Sequence, residues 1–285
     1  MAGASEQMIR NRIRSMKGTG QITRAMELVA ASKLRAAQEQ IGRVRPYYKT
    51  LYETVQAVAA SSREGQIPYF REGEGDKRLY VVIAGDRGLA GGYNSNVLKR
   101  FAPLLQEKNA TVFPVGRKAV EFFYGSADAP EGGKYMRGEG VSVGDCYTLA
   151  NVLTQRYWKG EYRQIAVIYT KFVSVLSQIP EMLTLLPIAT SGEKEGSEIP
   201  GNMLFDPDAK EVLDRLVPEY LGGILYGALC ESRAAEQAAR RVAMDAAQKN
   251  AEEMIRKLCL QYNRVRQAAI TREITEIVAG AGTEE

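Results

Sequence analysis

The sequence predicts an α/β chain: two very long terminal helices paired as an antiparallel coiled coil, with a small α/β domain between them in sequence. Three observations carry this reading. From Ala30 to Val58, apolar side chains return roughly every 3.5 residues. Residues 77–190 alternate β-type apolar runs with helical stretches. Beyond Pro218 the chain runs on without a proline and is rich in alanine. The expected division is therefore 1–60 as the N-terminal coiled-coil helix, 77–190 as the α/β domain and 208–285 as the C-terminal coiled-coil helix, the first and last forming one rod.

The first segment reads as one helix over about residues 6–60. Its inward positions step by four and three through Ala30, Leu34, Ala37, Ile41, Val44, Tyr48, Leu51, Val55 and Val58, the seam of a left-handed coiled coil. Pro46 removes one backbone bond and crowds the preceding turn, so a kink is expected there. A helix of this length spans roughly 80 Å, more than a compact domain of this size needs. Charge gathers here. Residues 1–60 hold ten Lys/Arg (Arg10, Arg12, Arg14, Lys17, Arg24, Lys33, Arg35, Arg43, Arg45, Lys49) against four acids (Glu6, Glu27, Glu39, Glu53), while the whole chain is only +4. Such a segment suits an acidic partner surface, nucleic acid or an anionic membrane, or is simply a solvated helix face.

In the middle segment, Lys77–Ala84 is a buried-strand run ending in a glycine-rich turn. Ser95–Gln106 reads as helix, Ala110–Val115 as strand, Lys118–Tyr124 as a short helix and Gly144–Trp158 as a helix with Asp145 as its N-cap. Arg163–Thr170 and Glu181–Ile188 read as strands. Strands alternating with helices give a Rossmann-like α/β layer domain. The polar, Gly/Pro-broken Thr190–Asn202 reads as a loop. The third segment, about 208–279, spans on the order of 100 Å as a helix. Its centre carries Ala234, Ala235, Ala238, Ala239, Ala243, Ala246, Ala247 and Ala251, small residues that let two helices lie close.

The composition narrows the chemistry. Of 285 residues, 45% are hydrophobic and 25% charged, which fits a folded chain. No apolar run reaches the length of a membrane span. The start, MAGASEQMIRNRIRSMK, has no apolar signal core, so the chain is expected to stay in the cytoplasm. There is no histidine, which removes the Ser-His-Asp triad, the Cys-His pair and imidazole acid–base chemistry. Cys146, Cys230 and Cys259 form no CxxC and read as buried free thiols in a reducing compartment. Glu273 and Glu276 lie one turn apart but read as solvated. Neither a cofactor nor a metal is expected. Gly85–Asn94 (GDRGLAGGYN) follows a strand and precedes a helix, where open α/β sheets bind ligands. It has neither GK[ST] nor GxGxxG spacing, so a structural turn is favoured over a phosphate loop. On these residues a basic coiled-coil nucleic-acid-binding protein and a nucleotide-binding α/β enzyme stay open as alternatives.

Several blocks resemble one family. The run Ile270-Thr271-Arg272-Glu273-Ile274-Thr275-Glu276-Ile277-Val278-Ala279-Gly280-Ala281 is similar to the signature of F-type ATP synthase gamma subunits. So are Tyr262–Ala269, Ala243–Ala251, Gln21–Lys33 and the Asp86–Asn94 loop, in the family's order across the chain. The resemblance implies a mechanical role without catalysis of its own. The paired helices would be the central rotor shaft inside a ring of three alpha and three beta subunits, coupling transmembrane proton (or sodium) flow to ATP synthesis and hydrolysis at beta. The implied partners also include the epsilon subunit and the membrane c ring, with no nucleic acid, and the implied place is the cytoplasmic face of the cell membrane. By position, Arg266 and Gln267 resemble residues that engage a loop of beta. Arg24, Lys33 and Arg35 would face an acidic segment of beta. Met26, Thr271 and Glu273 resemble the neck where the helices cross, and Leu204 and Phe205 the foot on the c ring. Ala90 stands where many members carry cysteine, and Gly18 and Gly20 are less usual in a long helix.

Overall fold

The computed structural model describes residues 2–61, 68–105, 107–123, 137–189 and 209–281. The expected elements are present, with ends shifted by a few residues. They are α1 (Ala2–Ser61), a 3-10 turn (Pro68–Phe70), β1 (Lys77–Ile83), α2 (Tyr93–Leu105), β2 (Ala110–Val115) and α3 (Arg117–Phe122). A second 3-10 turn (Gly138–Gly140) follows, then α4 (Val143–Trp158), β3 (Tyr162–Phe172), β4 (Gln178–Leu186) and α5 (Ala209–Ala281). The expected loop Thr190–Asn202, the foot residues Leu204 and Phe205, and Tyr124 lie outside the described residues. No described helix is long and apolar enough to cross a membrane.

The chain divides into two compact units, Met1–Ala30 with Arg240–Glu285 and Ala31–Ala239. In the first, α1 and α5 run antiparallel. Tyr262 donates to the Glu6 carboxylate at 2.8 Å, Gly20 faces Ala251, and Arg241 Nε donates to Glu27 at 3.0 Å. Partner numbers fall as the position on α1 rises, the signature of opposed directions. Ile9, Thr23 and Ala30 are buried and Met16 half-buried; on the other helix Met244, Ala251 and Leu258 are buried. Each set is spaced by sevens, so the coiled-coil seam extends further toward the N-terminus than the apolar pattern from Ala30 onward predicts. Thr23 is tolerated there because its hydroxyl donates to the Gly20 carbonyl at 3.1 Å.

In the second unit the predicted seam is inward: Leu34, Ile41, Val55 and Val58 are buried and Ala37, Val44, Tyr48 and Leu51 half-buried. The helices again oppose each other, with Gln40 Nε2 donating to the Tyr226 hydroxyl and the Tyr52 and Tyr220 rings 6.0 Å apart. Close approach explains two glycines. A β-carbon on Gly227 would meet the Tyr48 ring at 2.7 Å, and one on Gly222 the Tyr147 ring at 2.2 Å. α1 runs through Pro46, whose carbonyl accepts the Thr50 hydroxyl at 3.2 Å.

The sheet order is β2-β1-β3-β4, with β4 antiparallel and the rest parallel. Alternate residues of each strand supply two cores. Leu79, Val81, Ile83, Ile165 and Val167 pack with α4, α5 and the end of α1; Tyr80, Val82, Val112 and Ile168 pack with α2 and α3. At the start of α4 the structure corrects the expected cap. Ser142, not Asp145, is the N-cap: its Oγ accepts from Asp145 N at 3.2 Å, and the Asp145 carboxylate accepts from Ser142 N at 2.9 Å. The two form a capping box, so an acid near the helix start serves the third helical position. The thiols also divide. Cys146 and Cys230 are buried as expected, but Cys259 is exposed, because it follows the seam residue Leu258 and points to the outer face.

Candidate functional site

The glycine-rich loop after β1 is a built turn. Gly85 N donates to Asn94 Oδ1 at 2.8 Å, and Asn94 Nδ2 returns to the Arg87 carbonyl at 3.3 Å. Leu89 and Gly91 adopt positive φ, 61° and 55°. The Asp86 carboxylate draws in backbone N–H groups from two other segments: Arg117 and Gly138 on Oδ1 at 3.0 and 2.8 Å, and Glu139 on Oδ2 at 2.8 Å. A phosphate in this crevice would meet that carboxylate, so the arrangement favours the structural turn.

No group of acids and cysteines could hold a metal ion among the described residues. Burial pushes the Cys146 thiol up to about 12 and raises that of Cys230, so neither is a ready nucleophile. An open cleft of about 450 Å³ lies beside Tyr69, Trp158, Lys210 and Asp214, at the C-terminal end of α4. Trp158 lies just before the start of β3, so the cleft is at the end of the sheet opposite that where open α/β domains bind ligands.

The residues expected to meet other subunits are mostly free for that task. Arg266, Gln267, Thr271 and Glu273 are exposed on α5, and the Thr271 hydroxyl donates to the Gln267 carbonyl of its own helix at 2.9 Å. Near them Ile270, Ile274 and Ile277 form an exposed stripe at helical spacing, 48%, 57% and 66% accessible. On α1, Arg24 and Arg35 are exposed and Met26 half-buried. Lys33 differs: its ammonium donates to Glu139 at 2.9 Å, and that hydrogen bond holds the Glu139 carboxyl below its usual range. The structure does not bring the three neck residues together. Antiparallel pairing sets Glu27 against Arg241 and Glu6 against Tyr262. Thr271 and Glu273 are thus about 30 residues, roughly 40 Å of helix, along α5 from the level of Met26. Three contributors to the contacts around the glycine-rich loop carry no sequence pattern of their own or lie inside a motif read as a turn. Asp86 belongs to the glycine-rich stretch, while Glu139 and Arg233, whose guanidinium donates to the carbonyls of Gly138 and Val141, stand in no motif.

Comparison with known proteins agrees with the motif blocks. The family model described as ATP synthase matches residues 5–283. The ATP synthase gamma chain of Ruminococcus albus is 42% identical over 274 residues, covering 94% of this chain and 95% of that one. The ATP synthase gamma chain of Desulforamulus reducens is 39% identical over 284 residues, covering 99% and 100%. Among solved structures, a chain of the Euglena gracilis mitochondrial ATP synthase superposes with a TM-score of 0.68, covering 99% of this chain and 95% of that chain. At 19% identity this last likeness speaks for the fold alone. The nucleic-acid-binding and nucleotide-enzyme alternatives find no support in these matches, and the chain belongs to the ATP synthase gamma chain family.

Proposed function

We propose that this chain is the central rotor shaft of an F-type ATP synthase and performs no catalysis itself. The near full-length likeness to gamma chains carries the reading. The exposed apolar stripe Ile270, Ile274, Ile277 supports it, because an apolar helix face in water expects a covering surface. In this reading α1 and α5 turn inside a ring of three alpha and three beta subunits. The shaft presents different side chains to each beta subunit in turn, so each site passes through different affinities for ADP and ATP. That is coupling of distant sites by one element with several discrete orientations.

Arg266 and Gln267 are the proposed grips on beta, with Arg24, Lys33 and Arg35 facing its acidic segment. Met26 and the Thr271–Glu273 turn act at two separate levels of the helix pair rather than at one neck. Leu204 and Phe205 are the proposed foot on the c ring. Epsilon completes the partner set, and the chain sits peripherally on the cytoplasmic face of the cell membrane through the complex, which moves protons or sodium ions. The test is purification with a tag on this chain. Alpha, beta and epsilon should come with it, and the chain stripped of beta should hydrolyse no ATP. Turnover by the stripped chain, or recovery without alpha and beta, would refute the reading.

A further inference from the structure

A doubly wound domain receives its ligand at the carboxyl ends of its parallel strands. In this chain that crevice is filled by the turn Gly138–Val141, which is gripped from three sides. From the end of β1, Asp86 accepts the N–H groups of Gly138 and Glu139 as well as that of Arg117. From α5, Arg233 Nη2 donates to the carbonyls of Gly138 and Val141, the latter at 2.8 Å. From α1, Lys33 Nζ donates to the Glu139 carboxylate at 2.9 Å. Both long helices therefore reach the α/β layer through charged hydrogen bonds to one short segment.

Two features set the Arg233 and Asp86 contacts apart from ordinary surface pairing. Arg233 Nε is buried without a hydrogen-bond partner, a cost an apolar side chain at that position would not carry. And the bonds are directional. Apolar burial resists separation but is non-directional, so packed helices slide over a sheet more readily than they part from it. An arginine fixed on two carbonyls and a carboxylate fixed on three N–H groups resist sliding as well.

We propose that the Gly138–Val141 turn is the joint through which turning force passes between the α/β layer and the two terminal helices, with Asp86, Arg233 and Lys33 as its positioning residues. The proposal rests on the rotor reading above. It also gives Lys33 a partner within its own chain.

The experiment uses the assembled complex in membrane vesicles and measures ATP hydrolysis and ATP-driven ion pumping on the same preparation, with subunit content checked. The first variant is Arg233→Lys, which keeps a charge on α5 but loses the fork. The second combines Asp86→Cys with Gly138→Cys in a Cys259→Ser background. A β-carbon at position 138 lies 3.8 Å from Asp86 Oδ1, and the pair is scored only on preparations in which thiol titration shows that oxidation has formed the bridge and reduction has opened it. The first variant should keep its hydrolysis rate while ions pumped per ATP fall below the wild-type ratio. The cysteine pair should pump poorly when reduced and recover when oxidised, a reversal that a merely structural role for these side chains would not produce. Wild-type pumping per ATP in the first variant, or identical pumping by the oxidised and reduced pair, overturns the joint. If the first variant does not assemble, the cysteine pair decides alone. Vesicles prepared without this chain that still pump on ATP would instead overturn the rotor reading, so that outcome is read separately from the variants.

Discussion

The two units are built from the same pair of helices and hold them by different means. In Met1–Ala30 with Arg240–Glu285 the helices are paired with each other, and burial falls mainly on positions seven apart on either helix, Ile9, Thr23 and Ala30 against Met244, Ala251 and Leu258, with Arg240 also buried. Large apolar side chains such as Met8, Ile22, Leu28 and Leu260 stay exposed. In Ala31–Ala239 the helices are one wall of a layered domain. There Val55, Leu213, Val217 and Leu221 are sealed against a sheet whose own residues Ile165 and Val167 are fully buried. A coiled coil can be long because its stability is spread thinly along it; a layered core concentrates stability in few residues. Under the rotor reading, the thin unit keeps its apolar surface for a partner, and the dense unit holds its shape alone.

The comparison breaks most visibly through one leucine in each unit. Leu221 is 1% accessible and Leu258 is 8%. Leu221→Ala should cost the isolated chain about 2–5 kcal/mol, since the layered surroundings cannot collapse around the cavity. Leu258→Ala, in a two-helix seam open to water on both sides, should cost less than half as much. Urea unfolding followed by circular dichroism measures both, and equal losses would mean that the helix pair is packed as tightly as the domain.

How much of this was legible follows from the same contrast. The seam from Leu34 to Val58 shows in the sequence because its positions are aliphatic or aromatic and spaced by threes and fours. The extension through Met16 and Thr23 does not, because Gly20 and Thr23 break the apolar pattern. What makes Thr23 acceptable inside, its bond to the Gly20 carbonyl, is a matter of geometry. Strands β1 to β3 were readable as buried apolar runs, as parallel strands covered on both faces must be. The cap of α4 was misassigned because Ser142 and Asp145 trade bonds at the two ends of one capping box, and either residue alone resembles a cap. Of the site residues, Arg266 and Gln267 were identified only by resemblance to a family motif. Periodicity says that they face outward, not what they meet. Arg233 was invisible because its partners are two backbone carbonyls, which every residue possesses.

Glycine substitutions sharpen the comparison with opposite signs. In the layered unit, Gly227→Ala places a β-carbon 2.7 Å from the Tyr48 ring, so the ring must shift and stability should fall by about 1–3 kcal/mol. In the helix pair, a β-carbon on Gly18 meets nothing within 4 Å and one on Gly20 meets Ala251 at an ordinary 3.8 Å. Replacing both with alanine should stabilise the helix by roughly 1 kcal/mol at each position and slow amide hydrogen exchange around Lys17–Gln21. Faster exchange there would show that the glycines serve a strained contact, and the view of this unit as loosely held would need revision.

The smallest effect on the isolated chain, and the most informative one in the complex, belongs to Arg266 and Gln267. Both are exposed on α5, so replacing both with alanine should leave unfolding within about 0.5 kcal/mol of wild type. Their importance would appear only once a partner covers them. A guanidinium can hold a carboxylate through two parallel bonds, and the neighbouring amide adds a donor and an acceptor. Bonds involving a charge contribute about 1.5–3 kcal/mol each, enough to favour one rotor angle by roughly tenfold or more without locking it. The double variant should therefore assemble, or assemble less completely, with lowered coupled turnover, while its circular dichroism and urea midpoint match wild type. Steady-state hydrolysis and ion pumping, measured on complexes checked for full subunit content, decide the matter. Wild-type rates in both assays would remove these two residues from the gripping surface, and the exposed Ile270, Ile274 and Ile277 stripe would then be the part of this helix left to hold its partner.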